Sequence, residues 1–553
     1  MRKQILSTVF AILVALSMVV GCTTGAPAQP TAAPVQPTTA PAQPTAVPPK
    51  PTAAPTAVPP TPVPTVAKLD TLIISQSTDA TTLEPAEVNS RSEANIAQHL
   101  FDALIKMDAK QQLKPMLAES WKMLDDKMTW QFKLRKDVKF WDGEPFNAQT
   151  VKFCFERAAD PANKFVGNTA GYVFPSIGFK SVEVVDDYTV NIILDRFEPD
   201  TPGYISEIYI HSVKWYKDNP KEKVATTPMG SGPYKLKEWK KDDRIVLERW
   251  DDYWGPKPTF KTLVWRAIPE ASTSVAELLA GSVHVMSKVP PDQSAQVDKS
   301  KTARMATITG GRRIYVGFQQ KCTGPGCKEV KDVRVRQALN YAVDVDKILK
   351  NLFSGQGVRE GGMVNPPHKS ADIKAYPYDP EKAKKLLAEA GYPNGFKATL
   401  ATPNGRYQKD KDIALAVAAD LAKVGVQAEV VPYEWSVYTQ MTKKKELPAL
   451  FLLGTGSDFL SAWYDLSDLV NVGAATNYVN WQNSDWDKLV KQLGETYDPA
   501  ERKKITDKLQ MIVHDDAPWL FIYMQVDWYA VSNLVNWSPR ADEVMDFVDA
   551  KLK

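Results

Sequence analysis

Residues 23–66 are built almost wholly from Pro, Ala and Thr, and the hexad PAQPTA at 27–32 returns at 41–46. Proline removes a backbone donor and holds φ near −65°. The stretch has no hydrophobic period and almost no charge, so it has nothing from which to build a core and favours extended polyproline II. At about 3.1 Å per residue it reaches on the order of 100 Å. An O-glycosylated stalk has nearly the same geometry. What folds therefore lies after Val66, in about 485 residues. That is too long for one core, and two or three domains are expected.

Ahead of this spacer stand Arg2 and Lys3, then an apolar run from Ile5 to Val20. It is shorter than the roughly 20 residues that span a bilayer and reads as a secretory signal over residues 1–21. Its end, Val19-Val20-Gly21-Cys22, resembles a bacterial lipoprotein lipobox. That resemblance implies cleavage before Cys22 and acylation of the new terminus. Several acyl chains anchor a protein stably where one does not. A plain secretory signal with a chance cysteine is the other reading. On either reading the folded part is exported; on the first, residues 22–66 tether it to a membrane.

Composition narrows the classes. The net charge is +3 with lysines and acids interspersed, so there is no basic stripe for nucleic acid. No later apolar run approaches membrane length, and the folded part is expected to be soluble. Cys322 and Cys327 bracket CTGPGC, whose Gly-Pro-Gly turn can bring the sulfurs together; outside the cell a disulfide is expected. Two cysteines without a second pair make no zinc site. Cys154 reads as a buried small hydrophobe. The five histidines, His99, His211, His284, His368 and His514, are scattered without an HExxH pair, and there is no GxSxG elbow. No cofactor or metal is expected.

Along the folded part, 68–77 reads as a strand and 92–108 as a helix through Ile96, Leu100, Leu104 and Ile105. Hairpins turn at Asp186-Asp187 and near Asp242-Asp243. Asn147, Asp344, Asp379 and Asp498 each read as a helix cap, with Gly391 a stop. The later stretch runs strand (FKATLATP), helix (DIALAVAADLAKVG), strand (VQAEVVPY), which is the unit of a parallel sheet. The apolar run ALFLL suits a strand covered on both faces.

Four stretches then carry a family resemblance. They are LKPMLAESWKMLDDKMTWQFKLRKDVKFWDGEPFNAQTVKF (113–153), GSGPYKLKEWKKDDRIVLERWDDYWG (230–255), VRVRQALNYAVDVDKI (333–348) and YDPEKAKKLLAEAGY (378–392). In this order they resemble the extracytoplasmic solute-binding proteins of ABC importers, bacterial family 5, which binds dipeptides, oligopeptides and nickel. The resemblance spans about residues 69–547. It implies an α/β, two-lobed periplasmic-binding-protein-like fold of the class II type, with an inserted subdomain and two crossover strands at 313–320 and 519–525. It places one lobe at 67–313 plus 525–553, the insert at about 113–227, and the α/β lobe at 314–524. It also implies a monomer without catalysis that passes a peptide or other small solute to a permease.

These blocks shape the fold more than they touch ligand. GSGPY looks superficially like a phosphate loop but lacks the Lys-Ser/Thr ending and the following helix; its glycines are expected to supply backbone angles that other residues avoid. Trp121, Trp130, Trp239, Trp250 and Trp254 read as packing, and Trp141-Asp142-Gly143 as a turn.

Ligand residues are sought in loops at the carboxyl ends of parallel strands. Asp458 leads, since the resemblance implies an aspartate hereabouts for a peptide's α-ammonium; the chain departs from the GD-x-x-DP pattern of that loop. Trp435 sits after another strand end and is open between stacking on ligand and structural packing. Trp463, Tyr464 and Asn477 follow Asp458. Across the cleft, Asn89, Ser90 and Arg91 sit in a polar loop. Peptide is the expected solute, oligosaccharide the alternative given fifteen tryptophans, and nickel chelate third. A lipid-anchored hydrolase and a surface adhesin are the readings from other classes.

Overall fold

The computed structural model describes residues 69–366, 368–456, 461–470 and 477–553. The expected signal, Cys22, the proline-rich stretch and Asp458 lie outside these residues. Among the described residues, no helix is long and apolar enough to cross a membrane.

An eleven-stranded mixed sheet organises the molecule. One side holds, in order, Tyr234–Lys240, Arg244–Arg249, Thr262–Ala267, Thr71–Gln76 and Val285–Met286. The other holds Leu450–Thr455, Lys397–Pro403 and Gln427–Tyr433. Between them run two long antiparallel strands, Ala303–Phe318 and Trp519–Ser532, paired from Ala303↔Ser532 to Gly317↔Trp519. They contain both expected crossovers. Their register breaks between Thr309 and Arg313, at Gly310-Gly311. Separate apolar cores flank the sheet: one around Leu72, Leu100, Leu263 and Phe547, another around Val316, Leu339, Leu400 and Leu450. This is an α/β, two-lobed architecture with two crossovers.

The inserted subdomain has its own antiparallel sheet, ordered Ala118–Met123, Thr129–Leu134, Thr189–Leu194, Phe179–Asp186. Its core joins Phe132, Val190 and Ile192 to Val151 and Phe155 of the helix Ala148–Ala159. Trp121, Trp130 and Trp254 pack against it. Cys154 is buried there, and burial pushes its thiol up to about 12. Elsewhere, Cys322 and Cys327 are joined in a disulfide.

Local chemistry explains most element ends. Asn147, Asp344, Asp379 and Asp498 each accept a backbone N–H in the first turn of their helices, which satisfies donors the helix cannot. The strand–helix–strand reading is met: Lys397–Pro403 and Gln427–Tyr433 run parallel around the helix Asp410–Ala422. The first four residues of Leu450–Thr455 are buried, as a doubly covered strand requires.

One element differs. The helix expected over 92–108 stops at Leu100, and short strands follow at Asp102–Ala103 and Ile105–Met107. The glycine loop at 230–232 explains the stop. Gly232 donates its N–H to the Leu100 carbonyl at 3.1 Å, and Asp102 turns inward to accept from Ser231, Tyr253 and Trp254. Tertiary partners thus take over where helical spacing continues. The loop's glycines also serve a different purpose from the one expected. Neither Gly230 nor Gly232 has positive φ, but a Cβ on Gly230 would lie 1.9 Å from the Leu100 carbonyl oxygen. Gly230→Ala is therefore expected to destabilise by about 1–3 kcal/mol or more, as overpacking does, seen as a lower denaturation midpoint.

His99, at the end of the same helix, is fully buried among Tyr234, Trp265 and Phe547. Its Nδ1 is 2.8 Å from the Asn95 carbonyl, and its Nε2 accepts the Phe547 N–H at 3.1 Å. That pattern requires the neutral ring with the proton on Nδ1. Desolvation lowers its pKa to about 4. Between pH 6.5 and 4 the unfolded chain binds the extra proton, so stability falls as pH falls through that window, by about 3 kcal/mol for this group. Denaturation at pH 7.5 and 4.5 checks this: His99→Gln is expected to lose less on acidification than the parent.

Candidate functional site

Strand polarity gathers the site. Thr71–Gln76 and Val285–Met286 are parallel neighbours in one half of the sheet, and Lys397–Pro403 runs parallel to Gln427–Tyr433 and Leu450–Thr455 in the other. Residues just beyond the carboxyl ends of four of these strands line one cleft of about 780 Å3: Ser77 and Thr78, Lys288, Arg406 and Tyr407, and Trp435. Carboxyl ends of parallel strands are where such sheets bind ligands, and the volume lies in the range of small-molecule sites.

The loop after Lys397–Pro403 is held by Asp410, whose carboxylate accepts the N–H groups of Gly405, Arg406 and Tyr407 at 2.9–3.1 Å. The Tyr407 hydroxyl donates to the Gly454 carbonyl at 3.0 Å. Trp435 opens its helix, stacks on Tyr438 and meets Tyr407 edge-on. The Arg406 guanidinium lies 5.1 Å from the ring centres of both Tyr407 and Trp435. Among the described residues no carboxylate is within ion-pair distance of it. Desolvation and the neighbouring Arg312 lower its pKa.

Arg312, on the outgoing crossover, pairs with Glu543 at 3.0 Å. Burial works against the Glu543 charge, yet Arg312 and then Arg91 hold its pKa below the usual range. Asp527 is 9% exposed, with Oδ1 accepting from Gln525 at 2.8 Å. Its Oδ2 packs on Gly310, where a Cβ would come within 2.3 Å. Burial, then the Glu543 charge, pushes Asp527 up to about 7. Charged chemistry therefore sits at the register break of the crossovers.

Of the sequence candidates, Asn89, Ser90, Arg91, Trp435 and Tyr464 line this cleft. Ser90 is also a helix cap in a reciprocal box with Glu93. Tyr464 packs on Tyr204 and Tyr172. Trp463 and Asn477 do not line it: Trp463 packs on a neighbouring apolar core, and Asn477 exchanges hydrogen bonds with the Trp481 backbone. Asp458 lies outside the described residues. Lys288, Arg312, Arg406 and Tyr407 were missed. Arg406 was within reach, since it sits between Gly405 and Tyr407 directly after a recognised parallel strand.

Two lobes, a cleft at their strand ends and a polar, aromatic wall define a binding protein. The chain belongs to the bacterial extracellular solute-binding proteins, family 5, whose profile (Middle) matches residues 112–477. That family captures solutes outside the cytoplasm and is not enzymatic. The dipeptide-binding protein of Escherichia coli (strain K12) is 34% identical over 437 residues, covering 74% of this chain and 80% of that protein. Heme-binding protein A of Haemophilus influenzae is 30% identical over 489 residues, covering 82% and 85%. Among solved structures, the ABC transporter-associated periplasmic binding protein DppA from Helicobacter pylori in complex with peptide STSA is similar, with TM-score 0.74 and 26% identity, covering 87% of this chain and 98% of that one.

Proposed function

We propose that the protein captures a di- or oligopeptide in this cleft and delivers it to the permease of an ABC importer. Lipid on Cys22 holds it at the outer face of the membrane, with the proline-rich stretch as tether, and it acts as a monomer. The lobes run 67–313 plus 525–553 and 314–524, with the insert at about 113–227. They close on the solute by bending at the crossovers, and the solute drives closure only by favouring the closed state.

Arg406 carries the reading. Its guanidinium is stacked on two rings beside a solute-sized space, with no carboxylate among the described residues in ion-pair range. A peptide's terminal carboxylate offers the bidentate, charge-assisted partner that a guanidinium fits. A neutral oligosaccharide leaves that charge uncompensated. Peptide main chains vary little, so termini are held while water fills the side-chain space. The dipeptide-binding relative and the STSA complex support this choice. Native mass spectrometry of co-purified solute, followed by calorimetry with dipeptides, tetrapeptides and neutral oligosaccharides, tests it. Peptide binding is expected; oligosaccharide binding without any peptide binding overturns it.

A further inference from the structure

The cleft holds a second cation that lies outside every ion pair among the described residues. Lys288 lies just beyond Val285–Met286, in the half of the sheet opposite the strand that leads to Arg406. The two post-strand loops face each other, since Lys409 Nζ stands 4.0 Å from Asp292 Oδ1. Lys288 adopts φ +59°, a left-handed conformation that non-glycine residues enter at a cost. Six cationic side chains line the cleft against four carboxylates. Two of those carboxylates are ion-paired, and the Oδ2 of a third, Asp527, is buried without a hydrogen-bond partner among the described residues. Asp542 is paired with Arg540 and Glu543 with Arg312. Asp527 accepts from Gln525, and Glu207 accepts from Asn168. No carboxylate among the described residues is within ion-pair distance of Lys288.

Lys288 and Arg406 thus present like charges from opposite walls. In the empty cleft their repulsion opposes closure, offset in part by the Glu543 and Asp527 charges that also act on Lys288. An anionic group between them converts that repulsion into attraction to both walls, which is a differential preference for the closed form. Resting on the peptide reading above, we infer that Lys288 is a specificity-determining residue that receives a second carboxylate of the solute, so that the preferred ligands are short acidic peptides. Arg406 takes the terminal carboxylate, and Lys288 the Asp or Glu side chain.

Calorimetry on the full chain with Ala-Glu, Ala-Ala and Ala-Lys tests this. The parent is expected to bind Ala-Glu at least tenfold more tightly than Ala-Ala, with Ala-Lys weakest. Lys288→Met is expected to erase the Ala-Glu advantage over Ala-Ala, and Lys288→Arg to restore most of it. Equal affinity for Ala-Glu and Ala-Ala in the parent overturns the inference and leaves the peptide reading standing. An Ala-Glu preference that survives in Lys288→Met does the same. Failure of all three peptides to bind overturns both.

Discussion

Arg406→Ala is expected to weaken peptide binding about 100-fold, a loss of roughly 2.7 kcal/mol, without lowering the denaturation midpoint of the empty protein. A hydrogen bond to a charged group contributes about 1.5–3 kcal/mol, and the aromatic walls of Trp435 and Tyr407 keep water from competing for it. The loop should survive, because Asp410 grips its backbone N–H groups and not the guanidinium. The empty protein holds this charge partly desolvated and, among the described residues, without a carboxylate, so its removal costs the fold little beyond the two ring contacts. Arg406→Lys keeps the charge but loses the fork and the stacking, and a loss of about tenfold is expected. Calorimetry and urea denaturation of the same preparations separate the two effects. Unchanged affinity in the alanine variant would move the solute's anchor elsewhere in the cleft.

The elements that sequence disclosed are those whose causes are local. A cap needs one side chain and the next few N–H groups, so Asn147, Asp344, Asp379 and Asp498 were readable. So was the strand end at Trp435, because strand, helix and strand announce a parallel unit. The helix overrun past Leu100 failed for the opposite reason: the stop is imposed by Gly230 and Gly232, far along the chain, pressing on its last carbonyl. The site divides in the same way. Asn89 to Arg91 and Trp435 line the cleft, as their positions relative to an element led us to expect, whereas Trp463 packs on a neighbouring core, since an aromatic after a strand signals burial as readily as ligand. Lys288 carries no local signal, because its meaning comes from Arg406 on the facing wall. Cleft chemistry is a property of pairs, and a pair across two lobes leaves no mark in either segment.

Such a pair also governs the second large effect. Arg313, at the register break of the outgoing crossover, meets Asp465 of the helix Ala462–Val470 at 2.9 Å, and both side chains are only 2% exposed. Asp465 also accepts the Asn365 N–H at 2.7 Å. Asp465→Ala leaves the guanidinium buried without its counter-charge and Asn365 without its acceptor, and a loss of about 3–5 kcal/mol is expected. Asp465→Asn keeps the shape but not the charge and should be nearly as costly. The double variant Arg313→Met with Asp465→Leu removes both desolvated charges together and should recover much of the loss, because apolar packing often replaces a buried ion pair at little cost. Urea denaturation of the three variants checks the order. If Asp465→Ala costs under 1 kcal/mol, water reaches the pair in solution. Tyr464 neighbours Asp465 and lines the cleft, so a helix loosened there should also bind solute less tightly. The buried charges therefore fix the binding wall to the outgoing crossover strand, and on the closure proposed above stability and binding draw on the same contact.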